Sequence, residues 1–133
     1  MDKTSALNSP LTELQLRIME ILWIHGEASV SRVREELQPD HSLARTTVAT
    51  LLARMEDKGL VKHRTEGREF LFSPQFERDQ VLEAQVREFT GRVFRQDISA
   101  LVSNLLGSEQ ISPDELKEIR RLIKEAERRN TDD

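Results

Sequence analysis

The sequence predicts a mainly α-helical fold that carries a single small β-hairpin. Apolar residues recur at helical spacing along most of the chain, and only two β-prone runs follow one another, at Leu60 to Arg64 and at Glu69 to Phe72. The predicted order of elements is helix, strand, helix, helix and hairpin, which is the order of a winged helix-turn-helix. We therefore predict such a domain at residues 1–75, followed by a helical region at residues 76–133 that forms a dimer.

The first and the last helix have the clearest start signals. Thr12 is placed as an N-cap and Gln15 closes a capping box three residues later. Ser112 and Glu115 repeat this arrangement before the last helix. The first helix is expected to end at Gly26, and its buried stripe consists of Leu14, Ile18, Ile21 and Leu22.

Short elements lead from the first helix to the hairpin. Ala28 to Val30 predicts a strand, and Ser31 is placed to cap a brief helix that ends before Pro39. The third helix is expected near Leu43 to Lys58, directly before the hairpin. The turn of the hairpin is expected at Thr65 to Arg68, and the early strand should join its sheet.

The third helix presents an apolar face and, opposite to it, a face of small residues. The apolar face carries Val48, Leu51, Leu52 and Met55, and the small face carries Thr46, Ala49, Thr50 and Ala53. Small side chains let a helix approach a large body closely, and methyl groups of Thr and Ala can contact thymine in the major groove of DNA. The alternative is that the small face packs within the same protein.

Basic residues concentrate on the third helix and the hairpin, although the net charge of the chain is -4. Between His41 and Phe72 there are six Lys or Arg residues and four Asp or Glu residues, so the local charge is +2. Cations on a helix and on a projecting hairpin can reach the phosphates of one duplex. This asymmetry favours a DNA surface in this part of the chain.

Three apolar helical stripes follow the hairpin, and no sheet is predicted to cover them. About 58 residues cannot easily bury such a surface alone, whereas two copies of the chain can. We therefore predict a homodimer through Val86, Phe89, Val93, Phe94, Ile98, Leu101, Leu105, Leu116, Ile119, Leu122 and Ile123. The alternative is that these helices fold back on the first domain.

Several classes of function are disfavoured by the sequence. The chain has no cysteine, and His25, His41 and His63 show no ligand spacing, so we predict no metal site and no cofactor. The sequence contains neither a phosphate-binding loop nor a nucleophile motif, so nothing in it indicates an enzyme. Glu56 and Asp57 are interpreted as a solvated helix edge. No apolar run reaches the roughly 20 residues of a membrane span, so a cytoplasmic protein is expected.

Six segments of the sequence together resemble the penicillinase-repressor (BlaI/MecI) family. They are Leu11 to Leu14, Ile21 to Trp23, Thr47 to Met55, Lys58 to Val61, Phe94 to Leu106 and Ile111 to Leu116. The resemblance implies a dimeric transcriptional repressor of antibiotic resistance that occludes a palindromic operator. By matching position, it implies that Thr47, Thr50 and Arg54 lie on the recognition helix and that Arg68 is a wing contact.

Taken together, the predicted DNA-binding residues are Arg45, Thr46, Thr47, Ala49, Thr50, Arg54, Lys62, Arg64 and Arg68. Of these, Thr46, Thr47, Ala49 and Thr50 are expected to face bases. The five cations are expected to face mainly phosphate. The resemblance also implies release by cleavage downstream of a membrane sensor protease, at a bond that matches Asn104-Leu105. Two other classes remain open, a winged-helix module that binds protein and a regulator that senses a small molecule.

Overall fold

The computed structural model describes residues 6–108 and 110–131 of the 133-residue chain. Its elements are α1 (Glu13–His25), β1 (Ala28–Ser29), α2 (Val30–Leu37), α3 (Arg45–Asp57), β2 (Val61–Glu66), β3 (Glu69–Pro74), α4 (Arg78–Phe94), α5 (Ile98–Ser108) and α6 (Pro113–Thr131). The predicted fold class, mainly helical with a hairpin wing, is confirmed. The chain divides into two compact units, of which the first ends at Val93 and the second begins at Phe94.

Helix α1 begins at the predicted capping box. The Thr12 hydroxyl accepts a hydrogen bond from the Gln15 backbone N–H, and the Gln15 side chain accepts one from the Thr12 N–H, both at 3.0 Å. The helix ends at Gly26, whose φ of 79° suits a residue without a Cβ atom. Its N–H donates to the Leu22 carbonyl at 2.7 Å, which satisfies one carbonyl of the last turn.

The cap of α2 differs from the prediction. Ser29, not Ser31, is the N-cap, and its hydroxyl accepts a hydrogen bond from the Arg32 N–H at 3.1 Å. Ser29 has an extended backbone, so the same residue ends strand β1 and begins the helix. Val30 was predicted as the end of the strand, but it is the first helical residue and is buried in the core.

The three strands form one antiparallel sheet in the order β1-β3-β2, so the early strand joins the hairpin as predicted. The hairpin turns at Gly67, which has a φ of 62°. His63 pairs with Phe72 and Thr65 pairs with Phe70. Because side chains alternate along a strand, one face of the sheet carries Val61, His63, Phe70 and Phe72, and the other carries Lys62, Arg64 and Leu71.

The core of the first unit is built from its helices and its sheet. Its fully buried side chains include Ile18, Met19, Ile21, Leu22, Val33, Leu37, Val48, Leu52, Met55, Leu60, Val61 and Val81. Helix α4 contributes Val81 to this core, and the Trp23 indole N–H donates to the Phe76 carbonyl at 2.9 Å. The Leu11 N–H donates to the Gln85 side chain at 2.9 Å. The compact unit therefore extends past the predicted boundary at residue 75 to Val93.

The second unit consists of α5 and α6. Helix α5 is separated from α4 by a break at Arg95 and Gln96, which have φ values of 51° and 70°. Helix α6 begins at the predicted cap, where the Ser112 hydroxyl accepts a hydrogen bond from the Glu115 N–H at 3.1 Å. No described residue of either helix is buried. No helix in the described ranges is long and apolar enough to cross a membrane.

Candidate nucleic-acid interface

Helix α3 has the two faces that the sequence predicts. Val48, Leu52 and Met55 are buried in the core, while Leu51 is half-buried against it. The opposite side is exposed at Thr46, Thr47, Thr50, Ala53 and Arg54, and Ala49 at its margin is half-buried. An exposed side of small residues lets the helix backbone approach a groove closely. Contact with bases stays a prediction for these residues.

The hydroxyl of Thr50 has a partner within the helix. It donates to the Thr46 carbonyl at 3.0 Å, one helical turn earlier. This hydrogen bond turns the oxygen of Thr50 toward its own helix, so its methyl group is the part best placed for an apolar contact. Thymine presents such a methyl group in the major groove.

A cleft of about 200 Å³ lies between α3 and the tip of the wing. It is lined by Ser29, Val30, Arg45, Ala49, Arg68, Glu69 and Phe70. Arg45 is held at one wall, where its Nε donates to the Ser31 hydroxyl at 3.2 Å. The structure thus brings together two cations, Arg45 and Arg68, that lie 23 positions apart in the sequence. Such a cleft can hold a sugar-phosphate strand.

The other two cations of the wing, Lys62 and Arg64, lie on the face of the sheet opposite Phe70 and Phe72. Of these, Arg64 is engaged in a two-pronged ion pair, in which Nε lies 3.0 Å from Glu27 Oε2 and Nη2 lies 2.6 Å from Glu27 Oε1. Nη2 also donates to Glu66 at 3.2 Å. Hydrogen bonding from Arg64 lowers the pKa of the Glu27 carboxyl below 4.5. The structure does not favour the predicted phosphate contact of Arg64, because two carboxylates already surround its charge.

Three residues of this region were missed as site residues by the sequence analysis. His63 Nδ1 lies 2.7 Å from Oε1 and 2.8 Å from Oε2 of Glu56, and the His63 backbone N–H donates to Oε2 at 3.1 Å. The imidazole stacks on the Phe70 ring with centroids 4.2 Å apart. Of the helix edge that was interpreted as solvated, Asp57 is exposed, whereas Glu56 is half-buried and paired with His63. The alternation Phe70-Leu71-Phe72 is the one sequence signal that places Phe70 on the face of the buried Phe72.

The predicted dimerisation residues all carry apolar surface that the single chain leaves at least partly exposed. Phe94, Leu101, Leu116 and Ile119 are half-buried, and Val86, Phe89, Val93, Ile98, Leu105, Leu122 and Ile123 are exposed. The predicted cleavage site, Asn104-Leu105, lies inside helix α5 and both side chains are exposed. On the same helix, an open apolar groove is lined by Ile98, Val102 and Leu106.

No cluster of three His, Cys, Asp or Glu side chains that could hold a metal ion occurs in the part of the chain that the structure describes. Two of the three His residues contact single carboxylates: His25 contacts Glu36, and His63 contacts Glu56. The first contact joins α1 to α2, and the second joins α3 to the wing.

Comparison with known proteins gives a consistent result over most of the chain. A family model described as penicillinase repressor matches residues 11–125. The penicillinase repressor of Bacillus licheniformis is 26% identical over 119 residues, which cover 90% of this chain and 93% of that protein. The methicillin resistance regulatory protein MecI of Mammaliicoccus sciuri is 24% identical over 113 residues, which cover 85% of this chain and 92% of that protein. A solution structure of monomeric Bacillus licheniformis BlaI in complex with the blaP half-operator aligns with a TM-score of 0.47 at 26% identity, over 54% of this chain and 88% of that one.

Proposed function

The chain belongs to the penicillinase repressor family, whose members are transcriptional repressors and not enzymes, and from this premise we propose that it acts as a homodimer. Each subunit places α3 in the major groove of one half of a palindromic operator, and the dimer blocks transcription by occupying the promoter. The observation that carries the proposal is the exposed small face of α3 beside a cleft that holds Arg45 and Arg68.

The two kinds of residue at this surface have different roles in the proposal. Thr46, Thr47, Ala49 and Thr50 contact base edges, and their methyl groups favour thymine at the contacted positions. Arg45, Arg54, Lys62 and Arg68 contact phosphates and set the position of the protein on the duplex. Small side chains make few bidentate hydrogen bonds, so DNA shape and the spacing of the half-sites contribute to the specificity.

Dimerisation is supported by the exposed apolar side chains of α4, α5 and α6. Burial of one such side chain contributes roughly 1.5 to 3 kcal/mol, so an interface with even half of them offsets the cost of association. Among these side chains, Ile98 is 65% exposed and Val86 is 59% exposed. A two-fold axis would also join two weak half-site affinities into one strong operator affinity.

Proteolysis within α5 is the proposed route of release from DNA. The Asn104-Leu105 bond lies within α5, where the Asn104 carbonyl accepts a hydrogen bond from the Ser108 hydroxyl at 2.6 Å. A protease needs extended backbone, so α5 has to unwind before cleavage. Immunoblots of cells exposed to a β-lactam test this step: the proposal expects a shortened fragment when the target genes are derepressed, and persistence of the intact chain would contradict it.

Operator binding is tested by gel shift with DNA from upstream of the protein's own operon, at two salt concentrations. A repressor gives a discrete complex that competitor DNA of unrelated sequence does not remove, and its affinity falls steeply with salt. A winged-helix module that binds protein would give neither result. Sedimentation of the free chain at the same concentrations tests for the dimer independently of DNA.

A further inference from the structure

Glu56 and His63 form the link between the last turn of the recognition helix α3 and the wing. Both carboxylate oxygens of Glu56 lie within 2.8 Å of His63 Nδ1, and Oε2 also accepts the backbone N–H of His63. The tautomer with a proton on Nδ1 donates to this carboxylate. Strand β2 is thus fixed to α3 through its backbone as well as through its side chain.

The negative charge of Glu56 is unfavourable at this position unless its carboxylate is needed to join α3 to the wing. A carboxylate in the last turn of a helix lies at the negative end of the helix dipole. It also adds negative charge to the element that we place next to DNA phosphates. Asp57, the next residue, carries the same charge at the same helix end but is exposed, and it makes none of these hydrogen bonds.

The link continues from His63 to Phe70. The imidazole and the Phe70 ring are stacked, with centroids 4.2 Å apart and planes 27° apart, and the Phe72 ring lies beside both, 5.5 Å from the first and 6.4 Å from the second. Phe70 remains 49% exposed, although the face that it shares with Phe72 leads into the core. Phe70 lines the cleft together with Arg45, Arg68 and Glu69.

A half-exposed aromatic ring in a cleft with two cations and one carboxylate, Glu69, carries the groups that can contact a nucleic-acid strand. Guanidinium groups bind phosphates, and the deoxyribose between consecutive phosphates presents apolar C–H groups. Such a contact reads no bases, so it adds affinity for any sequence. This contact requires the ring to stay at a fixed distance from α3, because that distance determines where the DNA strand passes.

We propose that Phe70 packs against a deoxyribose of the DNA strand that runs between α3 and the wing. In this proposal Glu56 and His63 are positioning residues that hold the Phe70 ring there. This inference rests on the proposed function, because it needs the wing and α3 to bind one duplex. It assigns a favourable role to an acidic residue on a surface where removal of negative charge should otherwise strengthen binding.

The decisive comparison is between Glu56→Gln and Asp57→Asn, measured by fluorescence anisotropy with operator DNA. Each variant removes one negative charge from the same helix end, so general electrostatics predicts tighter binding for both. We expect Glu56→Gln to bind about fivefold more weakly, because a charge-assisted hydrogen bond is lost. Asp57→Asn should bind equally well or up to about twofold more tightly. Equal tightening by both variants would overturn the inference.

A double-mutant cycle tests whether Glu56 acts through Phe70. Phe70→Ala should weaken binding to operator and to unrelated DNA alike, by about tenfold. Adding Glu56→Gln to Phe70→Ala should cost little more, because the ring that the carboxylate positions is already gone. Fully additive losses would show that Glu56 does not act through the ring.

An NMR signature separates positioning from a general loss of fold. Stacking on Phe70 shifts the ring protons of His63 upfield in the free protein, and Glu56→Gln should reduce this shift while Asp57→Asn leaves it. His63→Gln provides a second variant without the stacked imidazole, and it should match Glu56→Gln in affinity. If the wild type binds no operator at all, the proposed function fails; if it binds and Glu56→Gln behaves like Asp57→Asn, only the present inference fails.

Discussion

Replacing Arg64 by Gln should leave the salt dependence of operator binding unchanged, although Arg64 is a cation of the wing. Its guanidinium is already paired with Glu27 and Glu66, on the face of the sheet opposite Phe70. A cation that is shared between two carboxylates neutralises no phosphate, so it releases no counter-ion from DNA. Replacing Arg68, which lines the cleft, should change the salt dependence.

The expected slopes follow from the number of phosphate contacts. Four cations in each subunit, Arg45, Arg54, Lys62 and Arg68, give eight contacts in a dimer and a slope of log K against log salt of about -7. Affinity should then fall roughly 10⁴-fold between 50 and 200 mM salt. Arg68→Gln removes two contacts and should reduce the slope to about -5. Arg64→Gln should keep the slope of about -7 and weaken binding only about threefold, through the uncompensated charge of Glu27.

Fluorescence anisotropy with a labelled operator, at five or more salt concentrations, gives these slopes directly. Circular dichroism of each variant shows that the fold is retained. A wild-type slope near -9 that drops by about two units in Arg64→Gln would refute the reasoning, since it would mean that Arg64 leaves Glu27 to bind phosphate.

Three further predictions test the core, the dimer and the wing ion pair. Leu52→Ala should lower the free energy of unfolding in urea by about 3 to 5 kcal/mol, because it opens a cavity at a fully buried site, and a loss below about 1 kcal/mol would contradict the packing of α3. Leu122→Glu should convert the dimer to a monomer in sedimentation and reduce operator affinity at least about 100-fold, whereas Lys117→Glu serves as an exposed polar control and should do neither. The Glu27 carboxyl should titrate by NMR with a pKa below 4.5 and return toward 4.5 in Arg64→Gln. Since this pKa is lowered in the folded state, the pair stabilises the fold above about pH 4.5 and loses that effect as pH falls through the lowered pKa; an unshifted Glu27 would mean that the pair does not form in solution.

Local sequence patterns were sufficient to predict much of the fold and the exposed face of α3. The capping boxes at Thr12 and Ser112 join residues three positions apart, so the sequence alone marks where α1 and α6 begin. The two faces of α3 also follow from helical period, because Val48 and Leu52 recur at one turn. The exposed apolar stripes of α5 and α6 also followed from helical period, but the sequence did not indicate what covers them.

Only the tertiary structure decided which charged groups of the wing are free to meet DNA. Arg64 lies 37 positions from Glu27, and Glu56 lies on another element than His63, so no local pattern could pair them. The pairing depends on the strand order β1-β3-β2 and on a register that sends alternate side chains to opposite faces. The sequence determined that cations gather around α3 and the hairpin. The sheet determined which of them are neutralised, because ion pairing depends on distance in space and not on distance along the chain.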